Sequence, residues 1–187
     1  MPKPTIVLVH GAWADGSSWN AVANALRGAG FPVFTPPNLL RSVTIDAPYI
    51  SSFLAQATSG PVVLVGHSYG GFVITNAAVG VDDVKALVFV DAFIPDEGET
   101  VFQILGGSGS AFDIPDPTQV FDLVGYPNAP EGDAEAFLKA DTVHNSFAQD
   151  LPEADRWLIV AGQRPITLAA NTTPGGPPAW TSVPSWR

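Results

Sequence analysis

Four short apolar runs, rich in β-branched residues, constrain the fold of this chain more than any other feature of its sequence. They lie at residues 5–9, 31–35, 61–65 and 86–90. Each run is continuous rather than alternating, which is typical of strands buried on both faces of a parallel sheet. Helical patterns separate the runs, as crossovers between parallel strands require. The sequence therefore predicts an α/β fold with a parallel sheet and helices on both of its faces.

Two of the crossover segments carry clear helix signals. After the second run, Asp46 is predicted to cap a helix that has Pro48 in its first turn and Ile50 and Leu54 on its apolar stripe. After the third run, residues 71–79 are apolar nearly all round. That pattern predicts a helix buried under the sheet.

Beyond residue 91 the chain becomes richer in proline and glycine, and its helical patterns become short. We interpret this part as a helical lid inserted after the fourth strand. The predicted lid helices span residues 100–105, 118–123, 133–140 and 153–160. The predicted organisation is an α/β core at 1–91, the lid at 92–178 and the start of a post-lid strand at 179–187.

Composition excludes several classes of function. The formal net charge is −10 with only eight Lys and Arg, so the basic surface that nucleic acid requires is absent. The chain has no cysteine, and no His/Asp cluster has metal-ligand spacing, so we predict no metal and no cofactor. No apolar stretch reaches the length of a membrane span, and we expect no membrane partner and a cytoplasmic location.

The motif with the most chemical content is Gly66-His67-Ser68-Tyr69-Gly70, between the third strand and the buried helix. Gly-x-Ser-x-Gly in a strand–turn–helix context is the signature of a nucleophile elbow. A serine at such a cramped turn needs glycine two residues away on either side. We therefore predict Ser68 as a nucleophile, with the main-chain N–H of Tyr69 facing the position of an oxyanion.

A second element lies at the end of the first strand, in His10-Gly11-Ala12-Trp13. A turn there can present the N–H of Ala12 as the second oxyanion donor. His10 is predicted to hold the turn rather than to transfer a proton. Trp13 and Phe93 are the predicted substrate contacts. Further apolar lid residues are expected to form a hydrophobic pocket: Phe102, Ile104, Phe112, Phe121 and Phe137.

Residues 6–13, 65–71 and 90–96 together resemble the small α/β-hydrolase family, in its esterase and hydroxynitrile lyase branch. The resemblance follows the whole chain in order. It implies an α/β-hydrolase fold and a serine esterase that acts on a small-molecule ester through an acyl-enzyme at Ser68. It also implies the chain order serine, acid, histidine, with the acid after the post-lid strand.

In that order, the acid and the histidine would fall beyond Arg187, so we expect a truncated hydrolase. The three histidines are poor replacements: His10 is structural, His67 points away from the serine, and His144 is a lid residue. Asp91, at the end of the fourth strand, is the alternative acid. Without a base, serine activation fails, so we expect an isolated chain to be a poor catalyst.

Three situations remain open for such a chain. It could be part of a longer protein, a natural truncation that forms a homodimer, or one half of a complemented pair. The sequence predicts an open sheet edge at residues 86–90, where a second copy or a C-terminal segment could pair. Two functions besides the esterase also stay open: a hydroxynitrile lyase-like enzyme, and a catalytically inactive binding module.

Overall fold

A computed structural model describes residues 3–187 as eight strands and seven short to medium helices. The strands are β1 (Thr5–Val9), β2 (Val33–Phe34), β3 (Val62–Ser68), β4 (Val84–Ala92), β5 (Phe121–Val124), β6 (Glu135–Leu138), β7 (Ile166–Thr167) and β8 (Ser185–Trp186). The helices are α1 (Asn20–Gly28), α2 (Val43–Ala57), α3 (Tyr69–Ala77), α4 (Val101–Leu105), α5 (Ala140–Thr142), α6 (Glu153–Gly162) and α7 (Leu168–Thr172). None of the helices in this part of the chain has the length and apolarity needed to cross a bilayer.

Five strands form a parallel sheet in the spatial order β2-β1-β3-β4-β8. The four strands predicted from the apolar runs are all present, and β3 and β4 extend beyond their predicted ends. The extension of β3 brings the strand to Ser68, at the junction with α3. The structure confirms the predicted α/β fold with a parallel sheet.

Alternate residues of β1 show that both faces of this sheet are covered. Ile6 and Leu8 pack with Trp19 and with partly buried residues of α1. Val7 and Val9 belong to the larger core on the opposite face, which includes buried residues of α2 and α3. Burial on both faces is the reason that the strands are continuously apolar rather than alternating.

The start of α2 differs from the prediction. The helix begins at Val43, so Pro48 lies inside it rather than in its first turn, and Asp46 is its fourth residue rather than its cap. The Asp46 side chain is fully buried, and its carboxylate accepts hydrogen bonds from the Arg41 N–H before the helix. Ile50 and Leu54 are buried as predicted.

The region predicted as a helical lid contains a sheet as well as helices. Two of the four predicted lid helices are present, as α4 and α6, but the predicted helices at 118–123 and 133–140 are wrong. Those segments form β5 and β6, which pair antiparallel and are joined by β7. In β6 the buried residues alternate, Ala136 and Leu138, which is the period of a strand. The division at 1–91, 92–178 and 179–187 stays a prediction.

The predicted open edge of β4 is wrong for part of its length. Ser185 and Trp186 of β8 pair in parallel with Leu87 and Val88 of β4. β8 therefore covers the edge of β4 at these two positions. Association with a second copy or a C-terminal segment stays a prediction.

Candidate active site

The junction of β3 and α3 holds Ser68 in a strained backbone conformation. Its φ is 52° and its ψ is −125°, outside the regions that L-residues normally occupy. Such strain persists only where the surrounding structure imposes it, and it is typical of a nucleophile elbow. The strand–turn–helix context that the motif requires is thus present around Ser68.

The glycines on either side of Ser68 are required by close backbone packing. A Cβ atom on Gly66 would lie 2.6 Å from the carbonyl carbon and oxygen of Gly70. A Cβ atom on Gly70 would overlap the carbonyl oxygen of Val9 in β1. Because all of these neighbours are main-chain atoms, a side chain at either position would force the turn apart.

The loop after β1 packs directly against the elbow. A Cβ atom on Gly11 would lie 2.7 Å from Cβ of Ser68, so only glycine allows this approach. Ala12 follows, is buried, and lines one cavity together with Ser68 and Tyr69. The N–H of Tyr69 belongs to the first residue of α3, where a helix leaves its N–H groups without intrahelical partners. The structure therefore brings together the three residues predicted for the nucleophile and the oxyanion hole.

The cavity beside Ser68 is small and mostly aromatic, with a volume of about 80 Å³. Both predicted substrate contacts, Trp13 and Phe93, lie in its wall. The other lining residues are Val101, Phe102, Leu105, Phe112, Phe121, Phe147, Ile166 and Asn171. Of the lid residues predicted to form the pocket, Ile104 and Phe137 do not line it.

Phe147 and Asn171 were not predicted as cavity residues. Phe147 lies in a π-helical turn, Val143–Phe147, for which the sequence gives no signal. Asn171 lies in α7, and its amide group donates a hydrogen bond to the Thr167 carbonyl at 3.0 Å. It is the polar side chain contributed by the lid to a wall that is otherwise apolar.

Trp13 connects the loop after β1 to the lid. Its main-chain N–H donates to the Arg164 carbonyl at 3.0 Å, and its indole N–H donates to the Ala136 carbonyl of β6 at 2.9 Å. The indole also stacks on Phe112 and Phe121, with ring centroids 5.3 and 5.5 Å apart. Trp13, the residue after Ala12, is thus held in place by hydrogen bonds and by stacking.

His10 is a structural residue in the arrangement observed. Its Nε2 accepts the Asn38 main-chain N–H at 2.9 Å, so the proton is on Nδ1, which donates to the Gly11 carbonyl at 2.9 Å. The Asn38 side chain returns a bond to the His10 carbonyl. Burial lowers the pKa of His10, so the ring is neutral and has no free nitrogen for proton transfer.

The other two histidines are also not bonded to Ser68. The ring of His67 packs edge-on against Trp19, with centroids 6.2 Å apart, and burial lowers its pKa. The ring of His144 packs on Trp157 at 4.6 Å, and its Nε2 is buried without a partner. Within residues 3–187 no histidine is placed as a base for the serine.

Asp91 sits at an irregularity in β4. The pairing of β3 with β4 shifts register there, so that His67 pairs with Val90 and Ser68 with Ala92. Asp91 is exposed, with a φ of 42°. Its charge partly offsets the lowering of the His67 pKa, but its carboxylate holds no histidine ring by a hydrogen bond in the described part of the chain. Its role as an alternative acid stays a prediction without geometric support.

The sequence profile of the alpha/beta hydrolase family matches residues 6–187. The chain belongs to the alpha/beta hydrolase family. Among curated relatives of this chain, the carbendazim hydrolyzing esterase of Nocardioides sp. (strain SG-4G) is 38% identical over 112 residues, 53% of this chain and 46% of the relative. Methylesterase 18 of Arabidopsis thaliana is 28% identical over 193 residues, 91% of this chain and 71% of the relative. For the carbendazim hydrolyzing esterase and the lipase LipV of Mycobacterium tuberculosis (strain ATCC 25618 / H37Rv), the match spans about half of the relative's length.

Solved structures share the fold of this chain. Polyneuridine aldehyde esterase superposes with a TM-score of 0.75 at 20% identity, over 98% of this chain and 79% of that one. An extracellular alpha/beta-hydrolase from a Paenibacillus species gives a TM-score of 0.73 at 23% identity, over 98% and 76%. At these identities the likeness establishes the fold but not the reaction, which depends on the residues of the site.

Proposed function

We propose that this hydrolase cleaves small carboxylic esters by acyl transfer, with Ser68 as nucleophile and the N–H groups of Ala12 and Tyr69 as the oxyanion hole. One observation supports the proposal: Ser68, in a strained strand-to-helix turn, lines the same cavity as Ala12 and Tyr69. Main-chain donors fixed around the position of a developing oxyanion supply a large part of the catalysis in acyl transfer.

In the proposed reaction, the Ser68 oxygen attacks the ester carbonyl carbon, and the carbonyl electron pair moves to the oxygen that faces the two N–H groups. Collapse of this intermediate breaks the bond to the alcohol oxygen, which takes up the proton that Ser68 loses, and leaves an acyl-serine, which water hydrolyses to the carboxylic acid and free Ser68. The serine proton needs a base. Since no described histidine contacts Ser68, we expect the 187-residue chain to retain only the residual acceleration of about 10³–10⁴ over water that binding and an oxyanion hole give without a triad.

The curated relatives support this assignment. Several are named as esterases, including the carbendazim hydrolyzing esterase and methylesterase 18. A lyase is the second candidate, because a relative from Arabidopsis thaliana that is 33% identical over 107 residues is named alpha-hydroxynitrile lyase. The residues that line the cavity beside Ser68 do not favour one of these two reactions over the other.

The direct test is labelling with an alkyl fluorophosphonate, which forms a phosphorus–oxygen bond to the serine oxygen and releases fluoride. Because no described histidine activates Ser68, we expect slow labelling that reaches one label per chain on long incubation, at Ser68 by peptide mapping, and none on the Ser68→Ala variant. A folded wild-type chain that takes no label would refute the esterase assignment and favour an inactive binding module. Release of aldehyde from mandelonitrile, without hydrolysis of nitrophenyl acetate, would favour the lyase.

The size of the cavity predicts a preference for short acyl groups. About 80 Å³ is the space of about three waters at roughly 30 Å³ each in the liquid. We expect nitrophenyl acetate to react at least about tenfold faster than nitrophenyl octanoate, since each misfitting methylene costs about 1–3 kcal/mol in a closed pocket. The measurement is the initial release of nitrophenolate from an acetate-to-octanoate series.

A pair of phenylalanine variants serves as the control for this preference. Phe112→Ala removes a ring from the cavity wall and should raise the octanoate rate relative to acetate. Phe137→Ala removes the same ring from β6, outside the wall, and should leave that ratio unchanged. Equal effects of the two variants would show that the cavity does not select the acyl group.

A further inference from the structure

A buried carboxylate lies behind the candidate oxyanion hole and has no part in the proposed chemistry. Asp46, in the first turn of α2, has no exposed surface. Its two oxygens accept the Arg41 main-chain N–H at 3.2 and 3.1 Å. One of them also accepts the phenol O–H of Tyr69, from α3, at 2.8 Å. The hydrogen bond therefore joins α2 to the residue that follows the nucleophile.

Tyr69 places its two polar ends in different surroundings. Tyr69 is among the residues that line the cavity beside Ser68, and its main-chain N–H, at the start of α3, is the oxyanion donor that we propose. Its ring is 1% exposed and lies parallel to the ring of Phe72, and its hydroxyl ends at Asp46. Because the ring is fully packed and bonded at its far end, the position of the main-chain N–H is coupled to Asp46.

The charges around Asp46 do not neutralise it. The guanidinium of Arg41 is engaged elsewhere, in a 2.6 Å ion pair with Glu135 of β6. The remaining groups that face the carboxylate are main-chain N–H groups and the Tyr69 phenol. Burial is the main cause that raises the pKa of Asp46 to about 6, so a charge at this place is held at an energetic cost.

We propose that Asp46 is a positioning residue, which fixes the oxyanion donor of Tyr69 by holding its phenol from behind. The inference rests on the proposed function, because it concerns the reactivity of Ser68. Asp46 touches no reacting atom. It acts through the side chain of Tyr69, and its removal changes the geometry of one donor while Ser68 and the cavity stay in place.

A second polar link between the same two helices provides a matched control. The Ser51 hydroxyl of α2 donates to the Ala77 carbonyl at the end of α3, at 2.7 Å, and to the Ala47 carbonyl at 3.0 Å. This link is at the opposite end of α3 from Ser68. If Asp46 only held α2 against α3, loss of the Ser51 link would have a comparable effect on reactivity.

The experiment measures the rate of fluorophosphonate labelling against probe concentration for the wild type, Asp46→Asn, Tyr69→Phe, the double variant and Ser51→Ala. We expect both single variants to lower the maximal labelling rate about tenfold, a fraction of the effect of deleting a donor. The probe concentration at half-maximal rate and the final stoichiometry should not change, and the double variant should be no slower than either single one. Ser51→Ala should label at the wild-type rate.

The outcomes separate this inference from the proposed function. A wild type that takes no label refutes the proposed function and this inference with it. If the wild type is labelled and the Asp46→Asn and Tyr69→Phe variants react as fast as the wild type, only the positioning role is refuted. A Ser51→Ala variant as slow as the other two also refutes it, since helix packing then accounts for the effect. Thermal unfolding of each variant verifies that slow labelling occurs in a folded chain.

Discussion

The Gly66→Ala variant should lose its reactivity toward fluorophosphonate and be destabilised by about 3 kcal/mol or more. A single methyl group is added, but it would lie 2.6 Å from the carbonyl carbon and oxygen of Gly70 and 2.7 Å from the N atom of Gly71. Overpacking costs about 1–3 kcal/mol when side chains can adjust, and these neighbours are main-chain atoms that cannot. The overlap can be relieved only if the turn opens, and an open turn moves Ser68 away from the N–H groups of Ala12 and Tyr69 that we propose as donors.

Urea unfolding and labelling of the same preparations measure both effects. Gly28→Ala is the matched control, because a Cβ atom on Gly28, the last residue of α1, meets nothing within 4 Å. Alanine favours a helix over glycine, so this variant should be more stable by about 0.5 kcal/mol and label normally. Wild-type stability and labelling in Gly66→Ala would show that the strained turn is not needed for the reactivity of Ser68.

The Asp46→Asn variant should be more stable than the wild type at pH 8 and lose that advantage at pH 4. Burial raises the pKa of Asp46 from its usual 3.8 to about 6. The folded chain therefore binds this proton more tightly than the unfolded chain, and the wild type loses stability as the pH rises from about 4 to about 6. The pKa shift corresponds to a loss of about 3 kcal/mol in the free energy of unfolding of the wild type at pH 8. We expect Asp46→Asn to be more stable than the wild type by about 2 kcal/mol of this amount, since an amide pairs less well with the phenol of Tyr69.

Urea unfolding of both proteins between pH 4 and pH 8 measures this difference. Ser51→Ala, on the same helix, introduces no ionisable group and removes none, so its effect on the free energy of unfolding should be the same at every pH. A difference between Asp46→Asn and wild type that does not change with pH would contradict the raised pKa. Greater stability combined with slower labelling in Asp46→Asn would separate its role in positioning from any role in folding.

The parallel sheet and the elbow were predictable because their sequence signals are local. Strands buried on both faces must be apolar throughout, and residues 61–65 meet that condition without any knowledge of their partners. The tight turn at Ser68 requires Gly66 through contacts with Gly70 and Gly71, only a few residues away, although Gly70 itself is required by Val9 of β1. The prediction of a shared site with Ala12 followed from the order of the strands.

The lid was less predictable because its structure depends on distant pairing. Residues 121–124 and 135–138 are too short to show a period clearly, and they are strands because they pair with one another and with β7. The position of Asp46 also depends on a contact that is distant in the sequence. Its side chain suits a helix cap, but it is buried and accepts a hydrogen bond from Tyr69, twenty-three positions away. Phe147 and Asn171 reach the cavity only through the folding of the lid.

The indole of Trp13 makes the reactive centre and the lid mechanically dependent on each other. Ala12, whose N–H we propose as an oxyanion donor, is followed directly by Trp13, which is hydrogen-bonded to Ala136 and Arg164. A shift of the small antiparallel sheet would pull on that peptide, so substitutions far from Ser68 will alter its reactivity. A substitution that enlarges the cavity for the acyl group is therefore expected to slow the reaction of Ser68 as well. Variants made to change acyl-group preference should also be assayed for the rate at which Ser68 reacts.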